Sequence, residues 1–100
     1  MMLIFETTKN IDSQIYLDSL SIRRKVFIEE QHVDPAIEID EKEAACTHIV
    51  GYNDMEQPIV TARLYPLSLH AYKIQRVADL KEYRGKHYGQ EILAKIDDIA

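Results

Sequence analysis

A single cysteine, Cys46, stands among the 100 residues, so no disulfide can close within the chain, and neither a CxxC nor an HExxH spacing is present to bind zinc. No metal site is expected. Basic residues are in deficit, 12 against 17 acidic for a net charge of −5. The chain therefore has no positive stripe to neutralise a nucleic-acid backbone, although one local anion site is still allowed. Long apolar runs are missing too. A membrane span needs about 20 apolar residues, and the opening MMLIFETTKN is shorter and has no positive flank, so neither an anchor nor a signal peptide is expected. With a lone thiol and no leader, the expected compartment is the reducing cytoplasm. Glycine and proline number three each, so the few turns they mark carry much of the local information.

What is present, 46% hydrophobic and 29% charged residues, describes one globular domain over residues 1–100. Leu3, Phe5 and Thr7 alternate with Ile4, Glu6 and Thr8, as in a half-buried strand, and Asn10 or Asp12 then offers a helix cap. From Ile15 to Phe27 the residues Ile15, Tyr16, Leu20, Ile22, Val26 and Phe27 fall in one helical arc. Arg23 lies in that arc while Arg24 and Lys25 point away, so Arg23 either snorkels or meets a carboxylate at the core edge. If the helix continued, Glu30 would share its face.

The stretch His32 to Ala45 holds Pro35 and the acids Glu38, Asp40, Glu41 and Glu43, and reads as a loop with one helical turn. Two strand-like runs, Cys46 to Tyr52 and Pro58 to Tyr65, flank the turn residues Asn53 to Gln57 and form a hairpin. A third run, Tyr72 to Leu80, follows Pro66 and a short connection. Ile92, Leu93, Ile96 and Ile99 then recur at helical spacing. His48, alternating with Cys46 and Val50, is expected to be a satisfied histidine at the core edge, and the mid-strand charges Arg63 and Arg76 either pair with acids or line a cleft.

Between the last strand and last helix lies YRGKHYGQ, Tyr83 to Gln90. A strand that passes through a basic, glycine-bearing turn into a helix turns free backbone N–H groups and the positive helix end towards an anion, and phosphate is the usual guest. Gly85 and Gly89 let the backbone come close, Arg84 and Lys86 add charge, and Gln90 begins the helix.

The chain resembles the GNAT family of N-acetyltransferases, and within it a bacterial branch of small enzymes with undefined acceptors. The resemblance spans the whole chain and is carried by IRRKVFIEEQHV (Ile22 to Val33), EIDEKE (Glu38 to Glu43), THIV (Thr47 to Val50), IVTARLY (Ile59 to Tyr65) and IQRVADLKEYRGKHYGQEIL (Ile74 to Leu93). The family's loop pattern, Arg or Gln, two residues, Gly, one residue, Gly or Ala, maps onto Arg84, His87 and Gly89. The resemblance implies an α+β domain, a mostly antiparallel four-stranded sheet with two helices, equal to the N-terminal two thirds of the family fold.

It also implies acetyl-CoA as co-substrate. Its pyrophosphate would be gripped by the loop Arg84, Gly85, Lys86, His87, Tyr88, Gly89 and Gln90, and its pantetheine arm would follow the main chain of Val77, Ala78 and Asp79. The Val77 and Ala78 amides would polarise the thioester carbonyl. A neutral amine of a small molecule or peptide would attack directly, with Glu30 the candidate base. Glu38, Asp40, Arg63 and Arg76 are the candidate substrate residues.

Two residues depart from the family pattern. His87 replaces a glycine and strains the backbone if its φ is positive, and Asp79 sets a carboxylate beside the pantetheine path. The family fold also continues past the second helix into a strand parallel to Tyr72–Leu80. The expectation is therefore either a homo-oligomer that completes the sheet or a truncated product. The alternative function is a non-catalytic remnant that serves as a CoA-binding or protein-interaction module.

Overall fold

The structure, a computed structural model, describes residues 3–34, 41–69 and 71–99; the expected substrate residues Glu38 and Asp40 lie outside them. Strand β1 (Ile4–Thr8) leads into helix α1 (Gln14–Arg23), which passes without a break into a π-helical segment, Arg24–Glu30. A 3-10 turn (Glu43–Ala45) precedes β2 (Thr47–Tyr52), β3 (Pro58–Ser68) and β4 (Ala71–Asp79), and a second 3-10 turn (Lys81–Tyr83) precedes α2 (Tyr88–Ile99). The strands pair in the order β1-β2-β3-β4, every pair antiparallel. The α+β class and the four-stranded sheet with two α-helices are as expected.

Alternation along the strands divides the core between the sheet's faces. On one face Ile49, Ala62 and Leu64 pack with Tyr88, Ile92 and Ile96 of α2. On the other, Val50 and Ala78 pack with Ile22 of α1 and Val26 of the π segment. Gly51 is the closest approach in the sheet: a Cβ there would come within 2.7 Å of Val60 Cγ1 and 2.9 Å of Phe5 Cε1. No helix among the described residues is long and apolar enough to cross a membrane.

Four local expectations need correction. The N-cap of α1 is Ser13, whose hydroxyl accepts from the Tyr16 N–H, because Asn10 Oδ1 is engaged with the Asp12 N–H in the preceding turn. Strand β3 does not stop before Pro66 but pairs through it, Pro66 opposite Tyr72. Its missing N–H costs nothing there, because β2 ends opposite Leu64 and leaves that side of β3 open. Helix α2 starts at Tyr88 rather than at Gln90.

The helix does continue to Glu30, yet Glu30 does not share the face of Arg23. In the π segment the Gln31 N–H reaches back to the Val26 carbonyl, a wider turn with less rotation per residue. Arg23 is 1% exposed, whereas Glu30 comes out to the surface.

Candidate functional site

Strand β4 lies at the sheet edge and carries an extra residue. From Thr61 to Arg63 on β3 the partners run from Ala78 back to Gln75, so the ladder is interrupted at Arg76 and Val77. Arg76 adopts φ 55°, left-handed and costly for a side chain with a Cβ. The bulge takes Val77 out of the β3–β4 register, at the strand end that leads to the glycine-bearing turn. Val77 is 39% exposed and Ala78 is buried.

Past the 3-10 turn, Gly85 takes φ 85° with nothing within 4 Å of where a Cβ would stand. His87 takes φ 65°, and its carbonyl accepts the first helical hydrogen bond, from the Glu91 N–H at 3.1 Å. The expectation that His87 would be strained at positive φ is met. The amides of Tyr88, Gly89 and Gln90, in the first turn of α2, have no helical carbonyl to bind. Tyr88 contributes only its backbone to this surface, since its side chain is buried in the core, while Gly85, Lys86, His87 and Gln90 are exposed. Lys86 Nζ lies 5.8 Å above the Tyr83 ring.

Arg84, Glu30 and Asp79 converge at this end of β4. The Arg84 guanidinium donates to both Glu30 oxygens, Nη1 to Oε2 at 2.8 Å and Nη2 to Oε1 at 2.9 Å. Nη2 also donates to the Asp79 carbonyl at 3.2 Å, and Nε stands 3.6 Å from Asp79 Oδ1, close enough for ion pairing but too far for a hydrogen bond. The hydrogen bonds to Glu30 above all hold the Arg84 pKa above its ordinary value, against slight desolvation. Asp79 thus faces a cation.

A second cluster lies inside the α1 face. Glu43, from the 3-10 turn, reaches Arg23 Nη2 at 2.6 Å and Arg63 Nη1 at 3.1 Å, and all three side chains are buried. Arg63 also donates from Nε and Nη2 to Gln75 Oε1, at 3.0 and 2.7 Å. Sequence reasoning expected carboxylate partners for these arginines but missed Glu43, which looked like one more member of a solvated acidic run. Among the described residues no cluster of three or more His, Cys, Asp or Glu is placed to hold a metal.

His48 is fully buried on the same side, edge-on to the Tyr16 ring at 4.7 Å, with Nε2 2.9 Å from the Glu43 carbonyl. Burial is the first cause that lowers its pKa below 6.5, and Arg23 and Arg63 act the same way against the Glu43 carbonyl and carboxylate. His48 is therefore neutral in the fold, with Nε2–H donating and Nδ1 unpartnered. Because the unfolded chain binds this proton more tightly, the stabilising contribution is complete above about pH 6.5 and is lost as pH falls towards the folded pKa. As pH falls below about 6.5 the wild type is expected to lose stability more steeply than His48→Gln, read as the difference between their urea midpoints across pH. Equal slopes would remove His48 from the account.

The comparisons with known proteins agree with this geometry. No family model matches the chain. Over 85 residues it is 40% identical to YyaT of Bacillus subtilis, an uncharacterized protein, covering 82% of this chain and 56% of that one. Over 83 residues it is 34% identical to YjcF of the same organism, an uncharacterized N-acetyltransferase, covering 83% and 58%. Among solved structures, a Lactobacillus plantarum protein provisionally assigned as an N-acetyltransferase superposes with a TM-score of 0.86 at 26% identity, over 98% of this chain and 66% of that one. An acyl-CoA N-acyltransferase from Pseudomonas aeruginosa gives 0.80 at 22%, over 97% and 69%, a likeness of fold alone. The chain spans a little over half the length of the curated relatives it matches. In sequence and in fold the chain is therefore similar to N-acetyltransferases of the GNAT family.

Proposed function

We propose that the chain forms the front of an acetyl-CoA-dependent N-acetyltransferase site whose acceptor is an amine of a small molecule or peptide. The observation that carries this is the bulged edge strand β4 running into a turn whose amides, from Gly85 to Gln90, start helix α2. Such a helix start favours a phosphate by its dipole and its unsatisfied N–H groups. In this proposal those amides, with Lys86 and His87, hold the pyrophosphate, and the main chain of Val77, Ala78 and Asp79 pairs with the pantetheine arm. The Val77 and Ala78 amides are the candidates to polarise the thioester carbonyl and stabilise its oxyanion.

The reaction is a single displacement. The amine lone pair forms the C–N bond at the thioester carbon, the C–S bond breaks, and CoA leaves as a thiolate that takes up a proton while the nitrogen loses one. Positioning and exclusion of water supply most of the rate. Both oxygens of Glu30, the candidate base, are held by Arg84, so it accepts a proton only as that pair opens; otherwise water takes it. Arg63, fixed by Glu43 and Gln75, and the half-buried Arg76 are proposed as the acceptor-side wall, together with Glu38 and Asp40. The proposal keeps the chain in the cytoplasm and includes a homo-oligomer that covers the open edge of β4.

The test is calorimetric titration with acetyl-CoA, followed by thiol release with a panel of amines, on wild type and His87→Gly. Binding in both is expected, since His87→Gly keeps the amides of the turn at a φ that glycine adopts without strain. No heat and no thermal stabilisation at millimolar acetyl-CoA would sink the proposal. Binding without thiol release would favour the non-catalytic module, and sedimentation of the same sample as a monomer would remove the oligomer.

A further inference from the structure

Arg84 opens the loop pattern that the family resemblance assigns to phosphate binding, yet its guanidinium is turned away from the helix start and spent on acids. Glu30, 54 residues earlier, takes two of its N–H groups in a bidentate pair, and the carbonyl and carboxylate of Asp79 occupy the side facing β4. We infer that Arg84 is a positioning residue rather than a phosphate ligand: it braces the cofactor loop to the end of the π segment and cancels the charge of Glu30 and Asp79 beside the path of an anionic cofactor. This inference rests on the acetyl-CoA proposal.

Two observations favour a brace over a ligand. The planar fork of arginine is matched by one carboxylate along its Nη1–Nη2 edge, a bidentate pair that leaves neither of those groups idle for a phosphate. And the pair is too open to be there for stability, with the Arg84 and Glu30 side chains 40% and 30% exposed, where ion pairs contribute little to folding. The same contact does change the field at the loop. Without Arg84, the carboxylates of Glu30 and Asp79 lose the guanidinium that faces them both at the strand end where a pyrophosphate would arrive.

The experiment is titration of CoA and of pantetheine, which carries no phosphate, into wild type, Arg84→Ala and the triple variant Arg84→Ala/Glu30→Gln/Asp79→Asn. Arg84→Ala is expected to weaken CoA about tenfold with pantetheine unchanged, and the triple variant to return CoA to within about twofold of wild type with no guanidinium at position 84. A triple variant as weak as Arg84→Ala would mean that the guanidinium itself grips phosphate, which overturns the inference. If wild type takes up no CoA, the acetyl-CoA proposal fails by itself, and the brace is read from hydrogen exchange of residues 85–90 without ligand. There Arg84→Ala and Glu30→Gln should quicken exchange alike and their combination no further; additive effects would overturn the brace.

Discussion

Glu43→Gln is expected to cost the fold about 3 to 5 kcal/mol, the range for removing one partner from a buried ion pair. The carboxylate is 5% exposed and binds two guanidinium groups that are each 1% exposed, so neither arginine can recover solvent when its acid is lost. An amide keeps the shape and one acceptor oxygen but not the charge. Since a domain of this size has about 5 to 15 kcal/mol of total stability, the urea midpoint should fall by a large fraction of its value. The neighbouring histidine contact should survive, because it uses the Glu43 main-chain carbonyl and not the side chain. A loss below about 1 kcal/mol, the level of a surface pair, would show that Glu43 does not neutralise this interior.

The second large effect concerns Gly51→Ala. Its φ is not left-handed, so an alanine backbone is allowed, and replacing a strand glycine should by itself return about 0.5 to 1 kcal/mol of chain entropy. The added methyl, however, would overlap Val60 Cγ1 and the Phe5 ring. Val60 is fully buried and β-branched, so it cannot swing aside cheaply. Overpacking of this kind costs about 1 to 3 kcal/mol, which outweighs the entropy and leaves a net loss of about 1 to 2 kcal/mol. Val60→Ala made on top of it should restore part of that loss, a coupling between touching residues that a double-mutant cycle measures. A neutral or stabilising Gly51→Ala would mean that the three strands pack more loosely than they are drawn.

How far the sequence could be read follows from the range of the forces involved. Periodicity is local, so the order of strands and helices, the burial of Ile92 and the inward place of Arg23 were all legible, whereas His48, expected to be satisfied at the core edge, is fully buried with Nδ1 unpartnered. The choice of Glu43 from an acidic run was not legible, because what separates it from Glu41 is a 3-10 turn that aims it at arginines 20 residues apart or more, and no local pattern records that. Arg84 is similar: its spacing marks the loop, but its partner lies 54 residues away. The strand through Pro66 was misplaced because proline stops a ladder only where a neighbour needs its N–H, and that depends on where β2 ends.

The π segment between Arg24 and Glu30 is, in effect, a phase shift. Acids and bases on a regular helix keep a fixed angular relation, and without the shift Glu30 would turn to the face of Arg23, about two turns further along. Retarding the rotation sends Glu30 outward to Arg84 at the glycine-bearing turn and leaves Glu43 with the buried arginines. Deleting one residue from 24–30 would therefore do more than shorten a helix: it would rotate Glu30 away from Arg84 and leave that guanidinium with Asp79 alone of its two acids.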